Sequence, residues 1–129
     1  MSGLLGSTVS AADKRARLRA GLNSGRLQRY PGAFSPLVAK LLSEIGFEGV
    51  YVSGAVLSAD LGLPDIGLTT LSEVAGRSAQ IGAATDLPTL VDADTGFGEP
   101  MSAARSRLII SAAGTTALPS RWPQRFGFT

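Results

Sequence analysis

The chain has no cysteine and no histidine among its 129 residues. Without cysteine there is no disulfide and no thiolate nucleophile. Without histidine, imidazole-based metal sites and Ser-His catalytic pairs are excluded outright. Aromatic residues make up only 6% of the chain. No basic stripe is interleaved with them, so a nucleic-acid-binding face is not expected. No apolar run reaches the ~18 residues that a membrane span needs. Charges from Asp13 to Arg19 stand where a secretory signal would have its apolar core. These absences predict a cytoplasmic protein with neither a membrane nor a nucleic acid as partner.

One more absence is local. No Asp or Glu follows Glu99. Residues 105–129 hold Arg105, Arg107, Arg121 and Arg125, while residues 1–104 hold eight basic residues against all ten acidic ones. The net charge of +2 therefore comes from the tail rather than from a cationic surface.

What is present suits an α/β protein: 44% apolar residues and 16 glycines, which favour close strand–helix packing. Ser10 or Asp13 starts a charged surface helix through Arg19 that ends near Gly21 or Gly25. Residues Arg26–Tyr30 read as a short strand stopped by Pro31-Gly32. Ser35 then caps a helix with Pro36 at its first position and Gly46 just past its end. Leu37, Val38, Leu41, Leu42 and Ile45 form one apolar face of it. Phe47–Ser53 reads as the next strand, which completes a βαβ unit with parallel strands. A long loop over 54–69 follows, and Thr70-Leu-Ser-Glu73 is a capping box that opens a helix ending between Gly82 and Thr85. Pro88 leads into a buried strand, Thr89–Val91, and a further helix is expected over 106–113. Pro119–Pro123 reads as irregular, with Trp122 loosely packed.

The chemistry concentrates in Leu90-Val-Asp-Ala-Asp-Thr-Gly-Phe-Gly98. Residues two apart in a strand share a face, so Asp92 and Asp94 converge at the strand's C-terminal end. Two carboxylates that close repel unless a cation lies between them, and a hard cation with oxygen ligands, Mg²⁺ first, is the natural partner. The plainer alternative is that the pair caps a turn. In α/β proteins ligands bind beyond the C-terminal ends of parallel strands. Tyr51–Ala55, Asp65 and Asp92–Gly98 all fall at that end.

These blocks carry a resemblance. Pro31-Gly-Ala33, Gly46–Gly54, Asp60-Leu-Gly-Leu-Pro-Asp-Ile-Gly67 and Leu90–Gly98, taken in order, resemble the isocitrate lyase/phosphoenolpyruvate mutase superfamily, and within it the methylisocitrate lyases, over about residues 12–105. The resemblance implies a (β/α)₈ barrel, of which this chain would be the N-terminal β-α-β-α-β portion. It also implies Mg²⁺-dependent cleavage of a small carboxylate, 2-methylisocitrate, to pyruvate and succinate in propionate breakdown. Ser53, Gly54 and Ala55 match the loop that holds the substrate carboxylate. Tyr51 matches an aromatic position beside the substrate, Asp92 and Asp94 match the Mg²⁺-binding aspartates, and Asp65 matches an acidic residue near them. The family then continues into a strand ending in a metal-associated glutamate and a Cys-Gly-His loop that supplies the catalytic acid. This chain has no counterpart to either, so no catalytic residue is assigned and the chain is expected to be inactive; the alternatives are a portion of another enzyme of the superfamily, a phosphoenolpyruvate mutase or oxaloacetate decarboxylase, or a non-enzymatic relic. The implied organisation is a lyase barrel portion over 1–105 and an unrelated or frameshifted tail over 106–129. Exposed sheet edges imply association with itself or with a full-length paralogue.

Overall fold

The computed structural model describes residues 6–94, 96–98, 100–112 and 115–118. Eight elements follow in order: α1 (Ala11–Asn23), α2 (Pro36–Ile45), β1 (Val50–Val52), α3 (Gly54–Asp60), α4 (Leu71–Ala83), β2 (Thr89–Asp92), α5 (Pro100–Ala112) and β3 (Thr116–Leu118). The three strands form one parallel sheet in the order β1-β2-β3. Val50, Val52, Thr89 and Val91 alternate with Tyr51, Leu90 and Asp92. The first set is fully buried against the helices, in a core with Ala39 and Leu42 of α2, Leu57 of α3, Val74 and Ile81 of α4 and Ile110 of α5. The second set is only half-buried and forms the other face of the sheet.

Local chemistry explains the helix ends. Ser10 caps α1 and Ser35 caps α2, each accepting from the backbone N–H three residues on. Gly46 closes α2 in the left-handed region at φ 89°. Thr70 and Glu73 form the reciprocal capping box at the start of α4. The other end of α4 is held by a residue of α1: the buried Lys14 ammonium donates to the Gly82 and Thr85 carbonyls, at 2.7 Å each. A cation there also opposes the negative end of the helix dipole. Burial lowers the Lys14 pKa, and the nearby Asp86 carboxylate opposes that shift. Lys14→Met keeps the stem but leaves both carbonyls without that donor. It is expected to cost about 1–3 kcal/mol, read as a lower urea midpoint with an unchanged slope.

Five expectations need correction. Arg26–Tyr30 is not a strand. The Arg29 backbone N–H donates to the Glu48 carboxylate at 2.9 Å and its guanidinium pairs with the same group at 2.8 Å, so the segment is tied by a side chain instead of a ladder. Ladder contact with β1 comes later, at Gly32, between Pro31 and Ala33. The hydrogen bonds from Arg29 hold the Glu48 carboxyl at about 2. Folding stability from this pair is therefore present above the ordinary carboxylate range and is lost as pH falls through about 2. Second, the strand expected over Phe47–Ser53 is paired with β2 only over Val50–Val52.

Third, residues 54–60 are helix α3, capped by Ser53, and only the rest of the 54–69 stretch is loop. Fourth, α2 does not bury its whole apolar face: Leu37, Leu41 and Ile45 are 78%, 56% and 60% exposed. The helix seats through Ala39 and Leu42, and a stripe four residues apart lies too far round the barrel of the helix to reach the sheet. Fifth, the helix expected over 106–113 is the second half of α5, which runs unbroken from Pro100 to Ala112. The boundary expected after Arg105 falls inside it. Beyond it, β3 pairs with β2 and extends the alternation of strand and helix to Leu118. Pro119–Pro123 and Trp122 lie outside the described residues.

Candidate functional site

The site is built where β1 and β2 end. The register sets Tyr51 opposite Leu90, so Tyr51 and Asp92 lie on the same half-buried face of neighbouring strands, one step apart along the diagonal. The Tyr51 hydroxyl donates to Asp92 Oδ2 at 3.2 Å. Burial and the Asp92 charge raise the Tyr51 pKa, so the phenol stays protonated and able to donate. The other Asp92 oxygen, Oδ1, accepts from the Asp94 backbone N–H at 2.9 Å. That is the aspartate turn in which a side chain bonds the backbone two residues on. It places Asp94 at φ 47° and leads into Gly96 at φ 94° and Phe97 at φ 61°.

The turn is held from behind by α5. Ser106 donates to the Gly96 carbonyl at 2.8 Å while also bonding the Ser102 carbonyl. Gly96 has no room for a side chain, since a Cβ there would lie 2.5 Å from the Ala103 Cβ. Gly96→Ala combines that overlap with a left-handed backbone. It is expected to lower stability by about 2–3 kcal/mol, measured by chemical denaturation.

Asp92 and Asp94 open onto a cleft of about 490 Å³ whose walls also include Gly54, Ala55, Asp65 and Phe97. Gly54 sits against the aspartate: a Cβ there would lie 3.6 Å from Asp92 Oδ2. Gly54 and Ala55 form the first turn of α3, where amide N–H groups have no intrahelical acceptor. The structure thus brings five of the seven expected residues to one cleft. The other two stand apart from its walls. Ser53 uses its hydroxyl to accept from the Val56 N–H as the α3 cap. Tyr51 reaches the cleft through Asp92. Asp65 lines the same space, yet no three carboxylates among the described residues gather into a metal-binding cluster.

The aspartate pair alone fits Mg²⁺. The donors are all oxygen, and Mg²⁺ typically takes one or two carboxylates and keeps several waters. The Asp94 carboxylate lines the cleft and meets no hydrogen-bond donor among the described residues. What the sequence did not reveal is the role of Ser106 and Ala103 in shaping the turn, because it depends on how α5 packs back against Gly96.

Parallel strands joined through helices, with the polar residues at the strands' C-terminal ends, define an α/β barrel-type protein of which the described residues form a part. A family model for phosphoenolpyruvate phosphomutase matches residues 18–117. The chain belongs to the phosphoenolpyruvate mutase/isocitrate lyase family. It is 63% identical over 114 residues to the probable 2-methylisocitrate lyase 2 of Corynebacterium glutamicum, covering 88% of this chain and 37% of that protein. It is 40% identical over 106 residues to the 2-methylisocitrate lyase of Bacillus subtilis, covering 82% and 35% respectively. Among solved structures it superimposes on a phosphonopyruvate hydrolase complexed with oxalate and Mg²⁺, with a TM-score of 0.77, 37% identity, and coverage of 79% of this chain and 36% of that one. The chain therefore spans a little over a third of the length of these relatives. Among the described residues, no helix is long and apolar enough to cross a membrane.

Proposed function

We propose that this chain carries the metal- and carboxylate-binding part of a 2-methylisocitrate lyase, an enzyme that splits 2-methylisocitrate into pyruvate and succinate in propionate breakdown. The observation that carries this reading is the single cleft shared by Asp92, Asp94, Gly54 and Ala55. Asp92 and Asp94 would hold Mg²⁺, and the bound ion would supply Lewis-acid stabilisation to the oxygen of a developing enolate. The first-turn amides at Gly54 and Ala55 would receive a substrate carboxylate, and Phe97 would limit water at one wall. Asp65 would set the charge of the loop opposite. The 63% identity to the Corynebacterium protein favours this substrate class over that of the phosphonopyruvate hydrolase, at 37%.

The chain by itself binds but does not turn over substrate. It contains no Cys or His, and no acid follows Glu99. Strand β3 stands where the family's metal-associated glutamate is expected, and Pro119-Ser120-Arg121 follow it. Without the Cys-Gly-His loop that the resemblance assigns as the catalytic acid, protonation of the leaving carbon has no assigned donor. Chemistry on a small dissolved carboxylate favours the cytoplasm as the place where the chain works. The exposed apolar stripe of α2 favours association with a second copy or a full-length paralogue.

The test is an assay for pyruvate release from 2-methylisocitrate with Mg²⁺, together with Mg²⁺-dependent binding of pyruvate or oxalate by calorimetry. Binding without release is the expected result. Release abolished by Asp92→Ala would show that the chain is a complete catalyst and would overturn the binding-only reading.

A further inference from the structure

Resting on the metal-site reading above, we infer that Tyr51 is a positioning residue for Asp92 rather than a substrate contact. Three observations carry it. The Tyr51 hydroxyl donates to Asp92 Oδ2 at 3.2 Å. Tyr51 is not among the residues that wall the cleft, whereas Asp92 is. Asp92 Oδ1 is already fixed by the Asp94 N–H at 2.9 Å, so the phenol supplies the second of two donors.

The consequence is geometric. One donor leaves a carboxylate free to swing about its Cβ–Cγ bond. Two donors on different oxygens fix the plane of the group. Each oxygen retains a second lone pair, and those lone pairs then point along set directions. A cation meets a ligand whose orientation is already settled, so less freedom is lost on binding. The strand register makes this possible: Tyr51 opposite Leu90 puts the phenol one diagonal step from Asp92, within reach of a long side chain. Phenylalanine at 51 keeps the ring and loses only the donor.

The experiment uses the full chain and Mn²⁺, followed by the loss of the free-ion paramagnetic signal. Tyr51→Phe is expected to weaken Mn²⁺ binding by about tenfold, in the range typical for groups that orient metal ligands. Tyr30→Phe is expected to change nothing. The chain has two tyrosines, so the Tyr30→Phe background leaves Tyr51 as the only one. In that background, added Mg²⁺ should perturb the near-ultraviolet tyrosine absorption, a signature that a merely packed ring would not give. This second readout needs no change at position 51, so it stands even if Tyr51→Phe folds poorly. Mn²⁺ binding lost in Asp92→Asn but kept within twofold in a folded Tyr51→Phe overturns the inference and leaves the metal site intact. Mn²⁺ binding unchanged in Asp92→Asn overturns both. A silent tyrosine spectrum on saturation with Mg²⁺ also overturns the inference.

Discussion

Asp92→Asn combined with Asp94→Asn is expected to weaken Mn²⁺ or Mg²⁺ binding by more than about a hundredfold while leaving the fold in place. The size follows from what is removed. Outer partners of a metal ligand are already worth about 10–100-fold in affinity, and here both charged ligands go together. The preserved fold follows from the turn. Asparagine at 92 keeps an Oδ1 that accepts from the residue 94 N–H, as Asp92 does now at 2.9 Å. Asparagine at 94 tolerates the left-handed backbone that Asp94 adopts at φ 47°. Circular dichroism and urea midpoint should therefore match the parent chain, and the paramagnetic Mn²⁺ signal should stay that of the free ion. A double variant that still binds would place the cation elsewhere.

The second large effect is on stability. Ile81→Ala is expected to cost about 2–5 kcal/mol, a large part of the ~5–15 kcal/mol by which a domain is stable. Ile81 is fully buried and belongs to the cluster of Val50, Val52 and Val91 beneath the sheet. Removing three carbons there opens a void between α4 and the strands, and backbone on both sides is pinned. The α4 ends are fixed by the Thr70–Glu73 box and by Lys14, so the helix cannot slide inward to fill it. Urea denaturation followed by tryptophan-independent far-ultraviolet dichroism measures the loss. Leu37→Ala serves as the contrast. Leu37 is 78% exposed, and its truncation should move the midpoint by no more than about 0.5 kcal/mol.

That contrast marks the boundary of what the sequence reveals. Both Leu37 and Ile81 sit at apolar helical spacing, and spacing cannot say which part of a wide apolar face meets the sheet. Where a signal is chemical and local it is legible: Ser35-Pro36, Gly46 and Thr70-Leu-Ser-Glu73 end or begin the helices as their side chains dictate. The strand that ends at Asp92 is legible for the same reason, since Pro88 opens it and the carboxylates close it. Elements that exist through tertiary contact are not. Helix α3 has seven residues and a glycine at its first position, which reads as a loop until Ser53 is seen as its cap. Strand β3 has three residues, too few for any periodicity, and is a strand because β2 offers it a ladder. At the site, the pairing of Asp92 with Asp94 could be read but not its basis: β2 ends at Asp92, and Asp94 reaches the cleft through a left-handed turn rather than by strand alternation. The Tyr51–Asp92 bond could not be read, because it depends on the register between strands 41 residues apart.

Asp94 and Phe97 both lie at positive φ, at 47° and 61°. For residues with a Cβ, such a backbone stores energy, of order 1–3 kcal/mol each and less for aspartate. The surrounding bonds from Asp92 and Ser106 keep it there. The turn is thus a place where stability has been traded for a shape that presents a carboxylate to the cleft. Phe97 packs against the core, so glycine there would lose more than it relieves, whereas Asp94→Gly should make the unliganded chain more stable while weakening the grip on a cation.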